Sequence, residues 1–207
     1  LYDMSTSQKT SQKTEELRKI KDEIIGLKDS PLYDIRVTNK VFPVIGEGDH
    51  DATIMFIGEA PGKNEAQTGR PFCGAAGRIL DELLMSVGIE RKSVYVTNIV
   101  KDRPPMNRDP FPDEIAAYGP FLDRQIQIIQ PKVIATLGRF SMDYIMRHYG
   151  LSSEICPISK IHGREFETEL GYGKVAVIPF YHPAVAVYDA NQKETLKNDF
   201  QILKKFL

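Results

Sequence analysis

The chain has 207 residues, 42% of them hydrophobic, and a formal net charge of -1, which fits one domain burying roughly 70% of the surface its unfolded chain would expose. That charge excludes a strongly basic coat but not a local phosphate-binding face. No run of about 18 apolar residues and no charged-then-apolar leader is seen, so a soluble cytoplasmic, intracellular (nucleoid-associated) protein is expected, with no membrane as partner; Cys73 and Cys156 read as small hydrophobes rather than a disulfide framework.

Residues 1–14, with Ser5-Thr6-Ser7-Gln8-Lys9, are polar and lack apolar periodicity, and are expected to form a disordered, mobile tail before a single domain over residues 15–207. From Glu15, the positions Leu17, Ile20, Ile24 and Leu27 recur at three- and four-residue spacing, which predicts an amphipathic helix ending near Pro31. Apolar strand-like runs come next at Ile54–Ile57, Val94–Val96, Val133–Leu137 and Val175–Ile178. Helical spacing returns over Ala75–Val87, Asp113–Gln130, Ser141–Tyr149 and Glu194–Phe206, and Leu151–Tyr172 holds a loop with room for a hairpin. This alternation predicts a three-layer α/β/α domain around a central four-stranded, mainly parallel sheet with right-handed crossovers.

Each of the four strands delivers polar or small residues just past its end: Gly58-Glu59-Ala60-Pro61-Gly62, Thr97-Asn98, Gly138-Arg139 and Tyr181-His182-Pro183. In an open parallel sheet these tips meet along one edge, where ligand crevices form. Together with Gly69-Arg70-Pro71-Phe72, Arg103-Pro104-Pro105-Met106-Asn107-Arg108 and His182-Pro183-Ala184, the strand ends resemble the family 4 uracil-DNA glycosylases. The resemblance runs from about Leu17 to the C-terminus, and it implies a uracil-DNA glycosylase-like fold and a monomeric enzyme acting on uracil-containing DNA, single- or double-stranded.

Such an enzyme flips the base out of the stack, reads its edge and stabilises the departing anion, leaving an abasic site. Gly58 and Ala60 belong to a turn that lets backbone approach a sugar-phosphate closely; alone, such a turn reads first as a plain strand-to-loop connection with no ligand. Phe72, outside any periodic run, can offer its ring face to a base, and the resemblance makes it the uracil stacker. The Asn98 amide matches the N3–H and O4 edge of uracil and mismatches cytosine. His182 can donate to uracil O2 as charge develops there.

The water-activating residue is less clear, because family 1 uracil-DNA glycosylases place an Asp where Ala60 stands. Glu59, Glu65 and Asn107 surround the site by resemblance: Glu65 as the wall that crowds a thymine methyl, Asn107 as a positioner of water, and Glu59 as a further catalytic candidate. Lys101, Arg103, Arg108 and Arg139 are candidate phosphate contacts, against solvated surface charge. Val187 and Tyr188 are candidates for filling the gap left by the flipped base.

The family also carries a four-cysteine iron–sulfur cluster. At the four positions where the resemblance places its ligands this chain has Leu27, Ser30, Asp102 and Tyr118, so no cofactor and no metal is expected. Two other readings stay open: a non-catalytic DNA- or partner-binding module on the same fold, and a glycosylase for another deaminated base such as hypoxanthine or xanthine.

Overall fold

The structure is a computed structural model that describes residues 5–207. Its first helix, α1 (Thr6–Ile25), starts nine residues earlier than the apolar periodicity suggests. The expectation of a mobile tail over residues 1–14 is therefore corrected for residues 6–14; residues 1–4 lie outside the described residues. A capping box starts the helix: Ser5 Oγ accepts from the Gln8 amide at 3.4 Å, and Gln8 Oε1 accepts from the Ser5 amide at 2.9 Å. Polar contacts then hold its first turns, with Lys13 paired to Asp51 at 2.8 Å and Thr14 Oγ1 2.7 Å from His50 Nδ1. Apolar spacing marks only the second half, where Leu17, Ile20 and Ile24 are buried.

After α2 (Tyr33–Asn39) come the short strand β1 (Glu47–Gly48), β2 (Ile54–Gly58), α3 (Lys63–Thr68) and α4 (Ala75–Ser86). β3 (Tyr95–Asn98) leads through a proline-rich loop to α5 (Pro112–Ile129), then β4 (Val133–Leu137), α6 (Arg139–His148) and α7 (Ile158–Ile161). The hairpin β5 (Phe166–Leu170) and β6 (Gly173–Phe180), then α8 (Ala190–Phe200), complete the fold.

The sheet has six strands in the order β1-β3-β2-β4-β6-β5. Its inner four, β3, β2, β4 and β6, are the expected parallel strands; β1 and β5 add one antiparallel strand at each edge. Every residue of β2 and β4 is buried, as when helices cover both faces of a parallel sheet. Alternate residues feed two cores: Met55, Ile57 and Ile134 join side chains of α1, α5 and α6, whereas Ile54, Phe56, Val133 and Ala135 join those of α4 and α8. The register sets Gly58 beside Asn98 and Leu137 beside Phe180. The residues just past these strand ends are thereby gathered at one edge.

Candidate active site

At that edge lies a cavity of about 420 Å³, within the range that admits small ligands. Glu59, Ala60, Glu65, Phe72, Asn98, Asn107, Arg108 and His182 all line it, so residues from five separate sequence segments converge.

The floor is built around Gly58. A Cβ there would lie 2.4 Å from Asn98 Oδ1 and 2.7 Å from Phe72 Cζ, so only glycine lets amide and ring approach the strand end together. Asn98 is buried, and its Oδ1 has no hydrogen-bond partner among the described residues. An unpaired buried acceptor is costly, by about 1–3 kcal/mol, unless a ligand supplies the donor. Thr97 Oγ1, one residue earlier, donates to the Ile45 carbonyl at 2.6 Å.

Phe72 has φ 47°, a left-handed conformation that non-glycine residues adopt at a cost. Arg91 holds it by donating to the Phe72 carbonyl at 2.9 Å and the Pro71 carbonyl at 2.6 Å. Glu65 Oε1 accepts the backbone N–H groups of Cys73 at 3.0 Å and Gly74 at 2.9 Å, so this carboxylate shapes the loop between Phe72 and α4 as well as walling the pocket. The Phe72 and His182 rings stack with centroids 5.6 Å apart.

His182 Nδ1 accepts the Ala184 amide at 3.1 Å. That leaves the proton of the neutral imidazole on Nε2, free to donate. Burial pushes the His182 pKa down to about 4, so the ring is uncharged at neutral pH. Glu59 comes just after β2, with its carbonyl accepting the Val100 amide at 3.0 Å. Burial, reinforced by the nearby Asp109 charge and opposed by Arg139, pushes its pKa up to about 7.

Other expected residues sit differently. Asn107 lines the cavity, yet it is exposed and its Oδ1 already accepts Arg103 Nε at 2.7 Å. Arg108 is held by both Glu114 oxygens, at 2.9 and 2.6 Å, and Arg139 by Asp109 at 2.6 Å; phosphate contact by either would compete with these pairs. Val187 packs against the core cluster of α4 and α8 instead of projecting, because the 3-10 turn at Pro183–Ala186 folds it inward. Tyr188 is fully exposed. Lys101 is not a surface cation: it is completely buried, following the buried pair Ile99-Val100 beyond the end of β3.

The positions that the resemblance assigns to cluster ligands hold a different structure. Ser30 Oγ and Tyr118 OH are 2.5 Å apart, and Tyr118 OH donates to Asp102 Oδ2 at 2.5 Å. The other Asp102 oxygen faces Arg36 Nε at 3.6 Å, and the Arg36 guanidinium donates to the Ile25 carbonyl at 2.8 Å and the Ile24 carbonyl at 3.3 Å. Leu27 packs against the apolar core. Serine, tyrosine, aspartate and leucine, with the three polar members bonded to one another, do not fit a group that needs four thiolates.

Fold and pocket together define an α/β protein with a cavity at the carboxyl ends of its parallel strands that presents an aromatic ring, a buried acceptor without a partner among the described residues and an imidazole N–H. The chain belongs to the uracil DNA glycosylase superfamily, whose family pattern matches residues 45–204. It is 46% identical over 190 residues to the type-4 uracil-DNA glycosylase of Sulfurisphaera tokodaii, covering 91% of this chain and 84% of that protein. The type-4 uracil-DNA glycosylase of Archaeoglobus fulgidus is 45% identical over 158 residues, covering 76% of this chain and 78% of its own length. A type-5 uracil-DNA glycosylase of Thermus thermophilus is 32% identical over 139 residues, 60% of this chain and 62% of that protein.

Proposed function

We propose that this protein is a uracil-DNA glycosylase that hydrolyses the N-glycosidic bond of uracil in DNA, an activity of base excision repair. The observation that carries the chemistry is Asn98 Oδ1, a buried acceptor without a partner among the described residues, in a cavity that also presents the Phe72 ring and the free Nε2–H of His182. Uracil supplies what that acceptor lacks, through N3–H, while the Asn98 amide nitrogen can donate to O4. Cytosine presents a bare N3 and an amino group instead, which leaves two mismatched polar contacts.

In this reading the base is flipped into the cavity and stacks on Phe72. The C1′–N1 bond breaks with both electrons leaving on uracil. His182 Nε2–H donates to O2 as negative charge grows there, a type of interaction worth about 10²–10³ in rate. A water oxygen adds to C1′, and its proton passes to the Glu59 carboxylate, giving an abasic site. No lysine amine takes part, so the enzyme is monofunctional. Gly58 and Ala60 let the flipped nucleotide approach, Glu65 crowds a thymine methyl, and Tyr188 enters the duplex where the base has left.

The enzyme works without an iron–sulfur cluster in this reading, supported by the Ser30–Tyr118–Asp102–Arg36 junction at the positions concerned. Anaerobically purified protein is expected to carry only trace iron; stoichiometric iron would overturn this part.

The test of function is alkaline cleavage of a labelled oligonucleotide carrying one uracil, with thymine, cytosine and hypoxanthine controls. Uracil-specific cleavage that is lost in His182→Ala supports the reading, and folded wild-type protein that cleaves nothing overturns it.

A further inference from the structure

Lys101 is a charge that the reaction as described leaves unused. Its Nζ lies 2.6 Å from the Asn98 carbonyl, 2.7 Å from Thr97 Oγ1 and 2.6 Å from Gln125 Oε1. All three are acceptors toward it. Thr97 has spent its hydroxyl proton on the Ile45 carbonyl at 2.6 Å, and Gln125 Nε2 donates to that same carbonyl at 2.9 Å, which turns Oε1 toward the lysine. These three close acceptors, with the Ile45 carbonyl a more distant fourth at 3.4 Å, suit the three hydrogens of an ammonium; a neutral amine has two, and would set its lone pair against an oxygen. Burial alone pulls the Lys101 pKa well down. The acceptor shell works against that pull.

Among the described residues no carboxylate contacts this ammonium: the adjacent Asp102 is bonded to Tyr118 and faces Arg36. A buried charge without a countercharge is expensive, and polar neutral side chains would tie Ile45, Asn98 and Gln125 together at less cost. The cavity that Asn98 lines has a use for positive charge. Glu59 and Glu65 are acidic, His182 is uncharged at neutral pH, and the Arg108 charge is matched by Glu114. Cleavage adds a further negative charge, on the departing base.

We propose that Lys101 is an electrostatic positioning residue: its ammonium, seated behind Asn98, fixes that residue through the main-chain carbonyl and offsets the negative charge that develops on the leaving base. The proposal rests on the uracil reading of the pocket. It involves no proton transfer from Lys101.

A departing 5-fluorouracil forms a more stable anion than uracil and needs less help. Single-turnover excision of uracil and of 5-fluorouracil from the same oligonucleotide therefore separates charge from scaffold. Lys101→Met is expected to slow uracil release by about 10²-fold and 5-fluorouracil release by at most about 10-fold. Gln125→Glu, which sets a carboxylate against a retained ammonium, is expected to show the same unequal loss, and it carries the test if Lys101→Met does not fold. Equal losses on both bases, or no loss, in a folded variant would make Lys101 a scaffold residue and overturn the proposal. Wild-type protein that releases neither base would instead overturn the uracil reading itself.

Discussion

The amide of Ala184 donates to Nδ1 of His182 across 3.1 Å, so the backbone two residues downstream decides which imidazole nitrogen faces the pocket as a donor. The bond depends on the 3-10 turn at Pro183–Ala186. Replacing His182 by Ala is expected to lower single-turnover excision by about 10²–10³ and to leave uracil-DNA affinity nearly unchanged, as read by fluorescence anisotropy. Because burial keeps the ring neutral down to about pH 4, its titration should not shape the rate near neutrality; a rate that rose on acidification toward pH 5 would refute the neutral donor.

Glu59 should shape it instead. Its pKa is pushed up to about 7, chiefly by burial, and a base works only when ionised. The logarithm of kcat/KM is therefore expected to climb with unit slope below about pH 7 and to level off above it. Glu59→Gln should remove the slope together with most of the activity. A wild-type profile flat from pH 5 to 9 would exclude Glu59 as the base.

Asn98→Asp changes the pattern offered to the base edge, since a protonated carboxyl can donate to N3 of cytosine while its carbonyl accepts from the amino group. Uracil excision should fall by about 10–100-fold, equivalent to about 1–3 kcal/mol, and cytosine excision should become detectable opposite a mismatch. Unchanged selectivity would remove Asn98 as the reader.

Tyr118→Phe deletes the hydroxyl that bonds both Ser30 and Asp102. With polar partners left buried and unpaired, a loss of about 1–3 kcal/mol is expected in urea unfolding. Burial holds the Asp102 pKa above the usual aspartate value, against the pull of the Tyr118 hydrogen bond and Arg36. In the window between the ordinary and the raised value the folded protein keeps a proton that the unfolded chain has lost, so this residue's contribution falls as pH rises through it. Asp102→Asn should flatten that dependence.

Met106 has φ 55° and is 93% exposed. A side chain that packs on nothing gives no return for a left-handed backbone, and glycine adopts that conformation freely. Met106→Gly is expected to raise stability by about 0.5–1 kcal/mol, measured by thermal unfolding; a loss of stability would mean that the left-handed backbone at Met106 costs less than the entropy a glycine adds to the unfolded chain.

Much of this arrangement is legible in the sequence. Buried parallel strands have to be short β-branched runs, and the residues just beyond their carboxyl ends have to lie at one edge, so Asn98, His182 and the Gly58 turn are marked by their positions in the chain alone. The Ser5 cap and the first turns of α1 escape notice because polar bonds to Asp51 and His50 stand in for an apolar stripe. The short helices α2, α3 and α7 leave too few residues for a period to register. Lys101 is misjudged because composition treats lysine as a surface residue; the available signal is that it closes the otherwise apolar run Ile99-Val100. The packing of Val187 escapes the sequence for a related reason: spacing cannot tell which side of a 3-10 turn meets the core.

The junction of Ser30, Tyr118, Asp102 and Arg36 contains no sulfur, and it fastens the end of α1 to the residue that begins the pocket's proline-rich lip. Oxygen and peroxide, which attack thiolates and the metal centres they hold, find no such target in this fastening.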